Sequence, residues 1–162
     1  MIYSIDTSSL LGAWVRHYPP DVMPGLWKEM ERLAQTRAVF ASIEVLNELK
    51  RKDDDVAKWA GEHRNMFVEP EKQVQDEVKM IVSRFPGLSN LEVGKSVADP
   101  WVIALAKVHH GIVVTEEEPS QNPGKKPHIP DVCDSLGIKW MSVLQFIRAQ
   151  KWVFELKSTS QH

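Results

Sequence analysis

One cysteine, Cys133, stands among 162 residues. It excludes an internal disulfide and an all-cysteine metal site, and it suits a reducing cytoplasm. Long apolar runs are missing too. No window approaches the roughly 18 consecutive apolar residues of a membrane span, and the opening MIYSIDTSSLLGAWVRH has neither the basic start nor the continuous apolar stretch of a secretory leader. A soluble, cytoplasmic chain is expected. Charge of one sign is also scarce: 20 Lys and Arg face 22 Asp and Glu, a net of −2. Nothing therefore draws polyanions to the whole surface, and any nucleic-acid binding must be local. No glycine-rich phosphate loop occurs, since GKK at 124–126 lacks the preceding glycine spacing, and no Gly-x-Ser-x-Gly element appears. DTSS at 6–9 has no second Asp two positions on, which excludes an aspartyl-phosphate hydrolase. His109 and His110 are adjacent rather than four apart, so they are no helical zinc pair.

What is present is enough for one domain: a chain of this length with 43% hydrophobic residues can bury a sizeable core. Residues 1–154 are expected to form that domain, with 155–162 a disordered tail. Met1–Ile5 reads as a buried strand that stops at Asp6. Asp21–Gln35 carries Leu26, Met30 and Leu33 at helical spacing. AVFAS at 38–42 reads as a second strand, with Ser42 placed to cap the helix IEVLNELKRK. Residues 53–85 predict two helices ending at Pro86-Gly87. A helix over 100–110, opened by Asp99-Pro100 and closed by Gly111, leads into the strand IVVT at 112–115. EPSQNPGKKPHIP reads as a mobile loop, followed by the short helix PDVCDSLG, the strand IKWMS and the helix VLQFIRAQ. Alternating strands and helices require crossover connections, so the class is α/β with a mainly parallel sheet.

In such a sheet the carboxyl ends of the strands and the starts of the following helices share one edge. Asp6, Glu44, Glu48, Asp99 and the run Glu116, Glu117, Glu118 all map to it, from four separate segments. Each has an ordinary explanation: a turn at Asp6, a helix-start charge at Glu44 or Asp99, a solvated loop at 116–118. Crowded carboxylates nevertheless repel one another unless a cation neutralises them. All-oxygen ligation suits Mg²⁺ or Mn²⁺ rather than zinc.

The stretches IYSIDTSSLL, FASIEVLNEL, VADPWVIALA and VVTEEE, in that order, resemble those of PIN-domain nucleases, over roughly residues 1–147. Glu44 and the IPDVC segment look like a branch of that family with no assigned function. The resemblance implies a three-layer α/β/α sandwich around a five-stranded parallel sheet. It also implies a metal-dependent ribonuclease using one or two Mg²⁺ or Mn²⁺ ions. By position, Asp6 and Asp99 match principal metal ligands, Glu48 a ligand or water-orienting base, Glu117 a second-site ligand and Thr115 the small polar residue beside it. Many relatives carry Asp or Asn where Glu117 stands, so Glu116 and Glu118 are rivals for that place, and Glu44 is an accessory ligand or a helix-start charge. Further implications are an RNA substrate, the role of toxin in a toxin–antitoxin pair with an antitoxin partner, and a homodimer. Lys125 and Lys126 are candidate phosphate contacts, and Trp14, Trp27 and Trp101 either stack on bases or pack in a core. The rival functions are a degenerate PIN-like domain that binds RNA or protein without cutting, and a receiver-like signalling domain. The latter wants a phosphoacceptor Asp on a middle strand, which is absent.

Overall fold

The structure is a computed structural model that describes residues 1–89 and 97–156. Strands β1 (Tyr3–Ile5), β2 (Val39–Ser42), β3 (Phe67–Val68), β4 (Ile112–Val114) and β5 (Trp140–Met141) form one sheet in the order β3-β2-β1-β4-β5. Every pairing is parallel, with Tyr3 opposite Val39 on one side and Ile112 on the other. The helices are α1 (Thr7–Gly12), α2 (Pro24–Gln35), α3 (Ile43–Lys52), α4 (Asp54–Glu62), α5 (Lys72–Arg84), α6 (Asp99–Val108), α7 (Ile129–Leu136) and α8 (Val143–Ala149). A π-helical turn, Ala13–His17, extends α1.

From β1 the chain steps outward to β2 and β3, then crosses to β4 and β5 on the other side of β1. Right-handed crossovers therefore lay α1–α4 on one face and α5–α7 on the opposite face. Strand alternation agrees. The Tyr3 ring packs edge-on against Phe146 of α8, 4.8 Å between centroids, while Ser4, facing the other way, donates to the Val102 carbonyl of α6 at 2.8 Å. The α/β/α sandwich is what the pattern of strands and helices predicts. Its core is apolar on both faces: Val45, Leu46 and Leu49 of α3 and Val102, Ile103 and Leu105 of α6 are all buried. Each such side chain contributes about 1.5–3 kcal/mol. Among the described residues no helix is long and apolar enough to cross a membrane.

Three local expectations change. Asp99 is the first residue of α6 rather than its N-cap, and Ala98 occupies the cap position without a side-chain bond. Gly111 does not supply the left-handed turn after α6, because His110 does, at φ 52°. Gly111 is required for another reason: a Cβ there would stand 2.9 Å from the Ile2 carbonyl oxygen where β1 begins. The loop over 118–130 is tied down, with Ser120 N donating to Asp131 Oδ2 at 2.9 Å and the ring Nδ1 of His128 2.8 Å from the Glu118 carbonyl. Trp27 packs edge-to-face on Trp14 and Trp59 at 4.7 and 4.9 Å, Trp14 lies tilted against Trp59 at 5.7 Å, and Trp27 Nε1 donates to the Tyr18 carbonyl at 2.7 Å. These two rings serve the interior, while Trp101 is half-buried against the core. The expected tail at 155–162 falls mostly outside the described residues.

Four helices end in the same hydrogen-bonded pattern. Ala38 N bonds Leu33 O, Gly111 N bonds Ala106 O, Ile138 N bonds Cys133 O and Trp152 N bonds Ile147 O, at 2.8–3.3 Å. In each case the residue before the donor is left-handed: Arg37, His110, Gly137 and Lys151. Glycine suits that position and a side chain costs roughly 1 kcal/mol there. Nothing lies within 4 Å of a Cβ placed on Gly137. The Gly137→Ala variant should thus lose about 1 kcal/mol through backbone strain alone, read as a lower urea midpoint with unchanged m-value. An unshifted midpoint would contradict the assigned backbone.

Candidate functional site

β1 is where the strand order reverses, with β2 on one side and β4 on the other. At such a switch point the loops leaving neighbouring strands diverge and open a crevice at the carboxyl ends. Asp6 follows β1 and Thr115 follows β4, and Thr115 Oγ1 donates to Asp6 Oδ2 at 2.7 Å across the gap. Asp6 is also the N-cap of α1, since its Oδ1 accepts Ser9 N at 2.7 Å. Ser8 Oγ donates to Oδ2 at 2.7 Å. Only 2% of Asp6 is exposed. Burial pushes its carboxyl up to about 6 from an ordinary 3.8, against the hydrogen bonds from Ser8, Thr115 and Ser9, which pull it down.

Glu48 projects from the second turn of α3 and is 5% exposed. Its Oε2 accepts Thr7 Oγ1 at 2.7 Å and its Oε1 accepts Ala98 N at 3.2 Å. Each donor adjoins an aspartate, Asp6 in one case and Asp99 in the other. Asp99, 9% exposed, opens α6 on the same edge. The structure thus links the segments carrying Asp6, Glu48, Asp99 and Thr115.

The glutamate run separates. Glu116 Oε1 accepts Val143 N at 2.7 Å, at the start of α8. Glu117 Oε2 accepts Ile129 N at 2.9 Å, at the start of α7, and its own N–H donates to Thr115 Oγ1 at 3.1 Å. Both carboxylates satisfy helix-terminal N–H groups that would otherwise lack partners. Glu117 stays on the Asp6 side: burial first, then the charges of Asp134, Asp6 and Glu117, push the Cys133 thiol up to about 12. Glu118 is exposed. Glu44 is half-buried, and its carboxylate receives Asn47 Nδ2 at 3.4 Å. Lys125 and Lys126 are exposed on a turn where both backbone N–H groups bond Asn122 O.

Thr7, Ser8 and Asp131 belong to this edge and were not singled out from sequence. The hydroxyl-rich TSS after Asp6 was a usable signal, because small donors in the first helical turn can reach a capping carboxylate. Asp131 accepts His128 N at 2.7 Å and Ser120 N, and so shapes the loop beside Glu117.

The donor set is all oxygen, and among the described residues no ion pair involves Asp6, Glu48 or Glu117. Oxygen donors alone fit a hard divalent ion better than zinc. Among the described residues, though, no three His, Cys, Asp or Glu side chains already form a metal-holding group. Asp6 accepts three protein bonds and Glu48 two, out of about four lone-pair positions per carboxylate. Cavities of about 510 and 540 Å³ open elsewhere, near Arg37 and His109 and near Met1 and Gly137, and none of these acids lines them. Residues at the amino ends of the strands line both, so they lie at the opposite edge.

Residues 3–154 match the family described as a domain of unknown function, DUF4411. The chain belongs to that family. No curated protein matches it. Among solved structures it is similar to PAE2754 from Pyrobaculum aerophilum, known from a crystal structure. The two share 14% identity, with 94% of this chain and 98% of the other covered and a TM-score of 0.48.

The position of Asp6 makes this DUF4411 domain sensitive to pH. A carboxyl raised in the folded state holds a proton that the unfolded chain releases between about pH 4 and 6, so stability falls as pH rises through that window. Asp6→Asn should remove this slope and stabilise the metal-free domain at pH 7–8 by about 1–3 kcal/mol. Urea titrations at several pH values measure it, and equal slopes in variant and wild type would show that Asp6 carries no such cost.

Proposed function

We propose that this DUF4411 domain is a Mg²⁺- or Mn²⁺-dependent ribonuclease of the PIN type that hydrolyses phosphodiester bonds at the carboxyl-end edge of its sheet. One observation carries the proposal: Asp6 is buried at the switch point, bonded to Thr115 across it, on an edge shared with Glu48 and Asp99. Burying a carboxylate with no ion pair among the described residues costs stability, which supports a chemical role for Asp6.

Asp6 and Asp99 would hold the cation, with Glu117 as a further ligand. Bound there, a divalent ion supplies Lewis acidity towards a phosphate oxygen and lowers the pKa of a water beside it. The remaining work is done by the chain. Ser8 and Thr115 fix the Asp6 carboxylate in one orientation by donating to the same oxygen. The acids repel the phosphate backbone until their charge is neutralised, so substrate engagement follows cation loading. Exposed Lys125 and Lys126 offer phosphate contacts on the loop beside Glu117. The resemblance to PIN nucleases extends the proposal to the toxin of a toxin–antitoxin pair, with growth arrest on expression and relief by a co-encoded small protein as its sign.

A second reading, a PIN-like domain that binds RNA or protein without cutting, draws on a different observation. Glu116 and Glu117 each give an oxygen to a helix terminus, and among the described residues no three-ligand group is assembled. The two readings separate in one experiment. Purified protein is incubated with single-stranded RNA and Mn²⁺, with and without chelator, alongside Asp6→Asn and Asp99→Asn. The nuclease reading expects cleavage that chelator abolishes and that each variant lowers by at least about two orders of magnitude. RNA retention without cleavage supports the binding module instead.

A further inference from the structure

The cavity of about 510 Å³ near Arg37 and His109 lies apart from the acidic edge: α6 opens at Asp99 on that edge and meets the cavity only with Leu105 and His109, towards its other end. Its size falls within the roughly 300–1,000 Å³ of small-molecule sites. Buried Phe40, Phe67 and Leu105 give it an apolar floor, and the half-buried His109 ring stands edge-on to Phe40 at 5.4 Å between centroids. Its charged lining has two sources. Arg37 comes from the turn between α2 and β2, whereas Glu69 and Glu71 come from the connection between β3 and α5, and all three are exposed. Opposite charges thus share one cavity, yet among the described residues no ion pair includes any of the three. Arg37 also holds a left-handed backbone, φ 56°, that glycine would adopt at less cost. A long cationic side chain kept at a strained position supports a use for its guanidinium.

We propose that this cavity binds short apolar peptides as zwitterions, with the terminal carboxylate on Arg37, the terminal ammonium on Glu69 and Glu71, and an apolar side chain over Phe40 and Phe67. Such a ligand carries the reverse of the lining. A purely anionic molecule would meet two glutamates, and a purely cationic one the guanidinium. A free amino acid bears both charges on one carbon, whereas a peptide separates them by an apolar body, as the cavity separates its own charges onto two segments of chain. Arg37 offers a planar fork of donors to the carboxylate, and the glutamates accept from the ammonium. The inference does not rest on the nuclease reading, and no residue of the acidic edge takes part in it.

The probe is the tripeptide Ala-Phe-Leu, used free, N-acetylated, or with its carboxyl group amidated, and titrated into the ¹⁵N-labelled full chain while backbone amide shifts are followed. The free peptide should shift the amides of Phe40, Phe67 and His109 saturably at millimolar concentration. Amidating its carboxyl group, or making Arg37→Gly in the protein, should each weaken binding about tenfold, and the two together no more than either alone. Acetylating its amine should pair in the same way with the double variant Glu69→Gln, Glu71→Gln. Arg37→Gly relieves the backbone, so it should unfold at or above the wild-type temperature, and its lost binding is then not lost folding. Three results overturn the proposal: no saturable shift at the cavity, affinity within about twofold when both ends of the peptide are blocked, or a further tenfold loss for the amidated peptide in Arg37→Gly. Should the glutamate double variant not fold, the acetylated peptide on wild-type protein decides that end alone. Absence of RNA cleavage would overturn the nuclease reading and leave this proposal standing.

Discussion

The edge of this molecule is organised around a carboxylate kept from water, with no ion pair to it among the described residues. Asp6 lies where two parallel strands part company, and three donors from residues 8, 9 and 115 converge on it. Those bonds only partly offset the desolvation of the charge, as its raised proton affinity shows. Much else follows from keeping it there. Thr115 must end β4 within reach, α1 must start at once so that Ser9 N–H is free to be capped, and the crossover through α5 and α6 must bring β4 alongside β1.

The neighbouring acids divide into two kinds of work. Glu116 and Glu117 face helix starts that arrive from later in the chain, and so hold α8 and α7 against the end of β4. Glu48 faces helix starts on both sides of it. Among the described residues, the carboxylates of Glu48, Glu116 and Glu117 therefore meet the positive ends of helices rather than lysine or arginine. Such matching is fixed in the backbone and leaves oxygen lone pairs uncommitted, which a paired guanidinium would not.

How far this was legible from residue order depends on which interactions are local. β1, β2 and β4 are short apolar runs bounded by polar residues, and α2, α3 and α5 carry apolar residues at helical spacing, so each declares itself within a dozen residues. β3 does not: Phe67 and Val68 make a two-residue strand between Met66 and Glu69, too short for any alternation to register. α1 and its π turn were hidden too, because TSSLLGAWVRH runs through a single short amphipathic turn into an irregular one. The edge assignment of Asp6, Glu48 and Asp99 followed from topology alone. Their partners did not, since Ala98 N–H and the Thr7 hydroxyl meet Glu48 only when segments 41 and 50 residues away fold onto it. Three adjacent glutamates look equivalent in a string, and only the tertiary placement of α7 and α8 tells them apart.

Arg37, His110 and Lys151 occupy left-handed turns that glycine would fill at less cost. All three follow helices that run back to the amino ends of the strands, a full strand length from Asp6. The domain thus carries a reserve of unrealised robustness on the side remote from its acids. An engineer could harden the scaffold there without disturbing a single oxygen of the crevice.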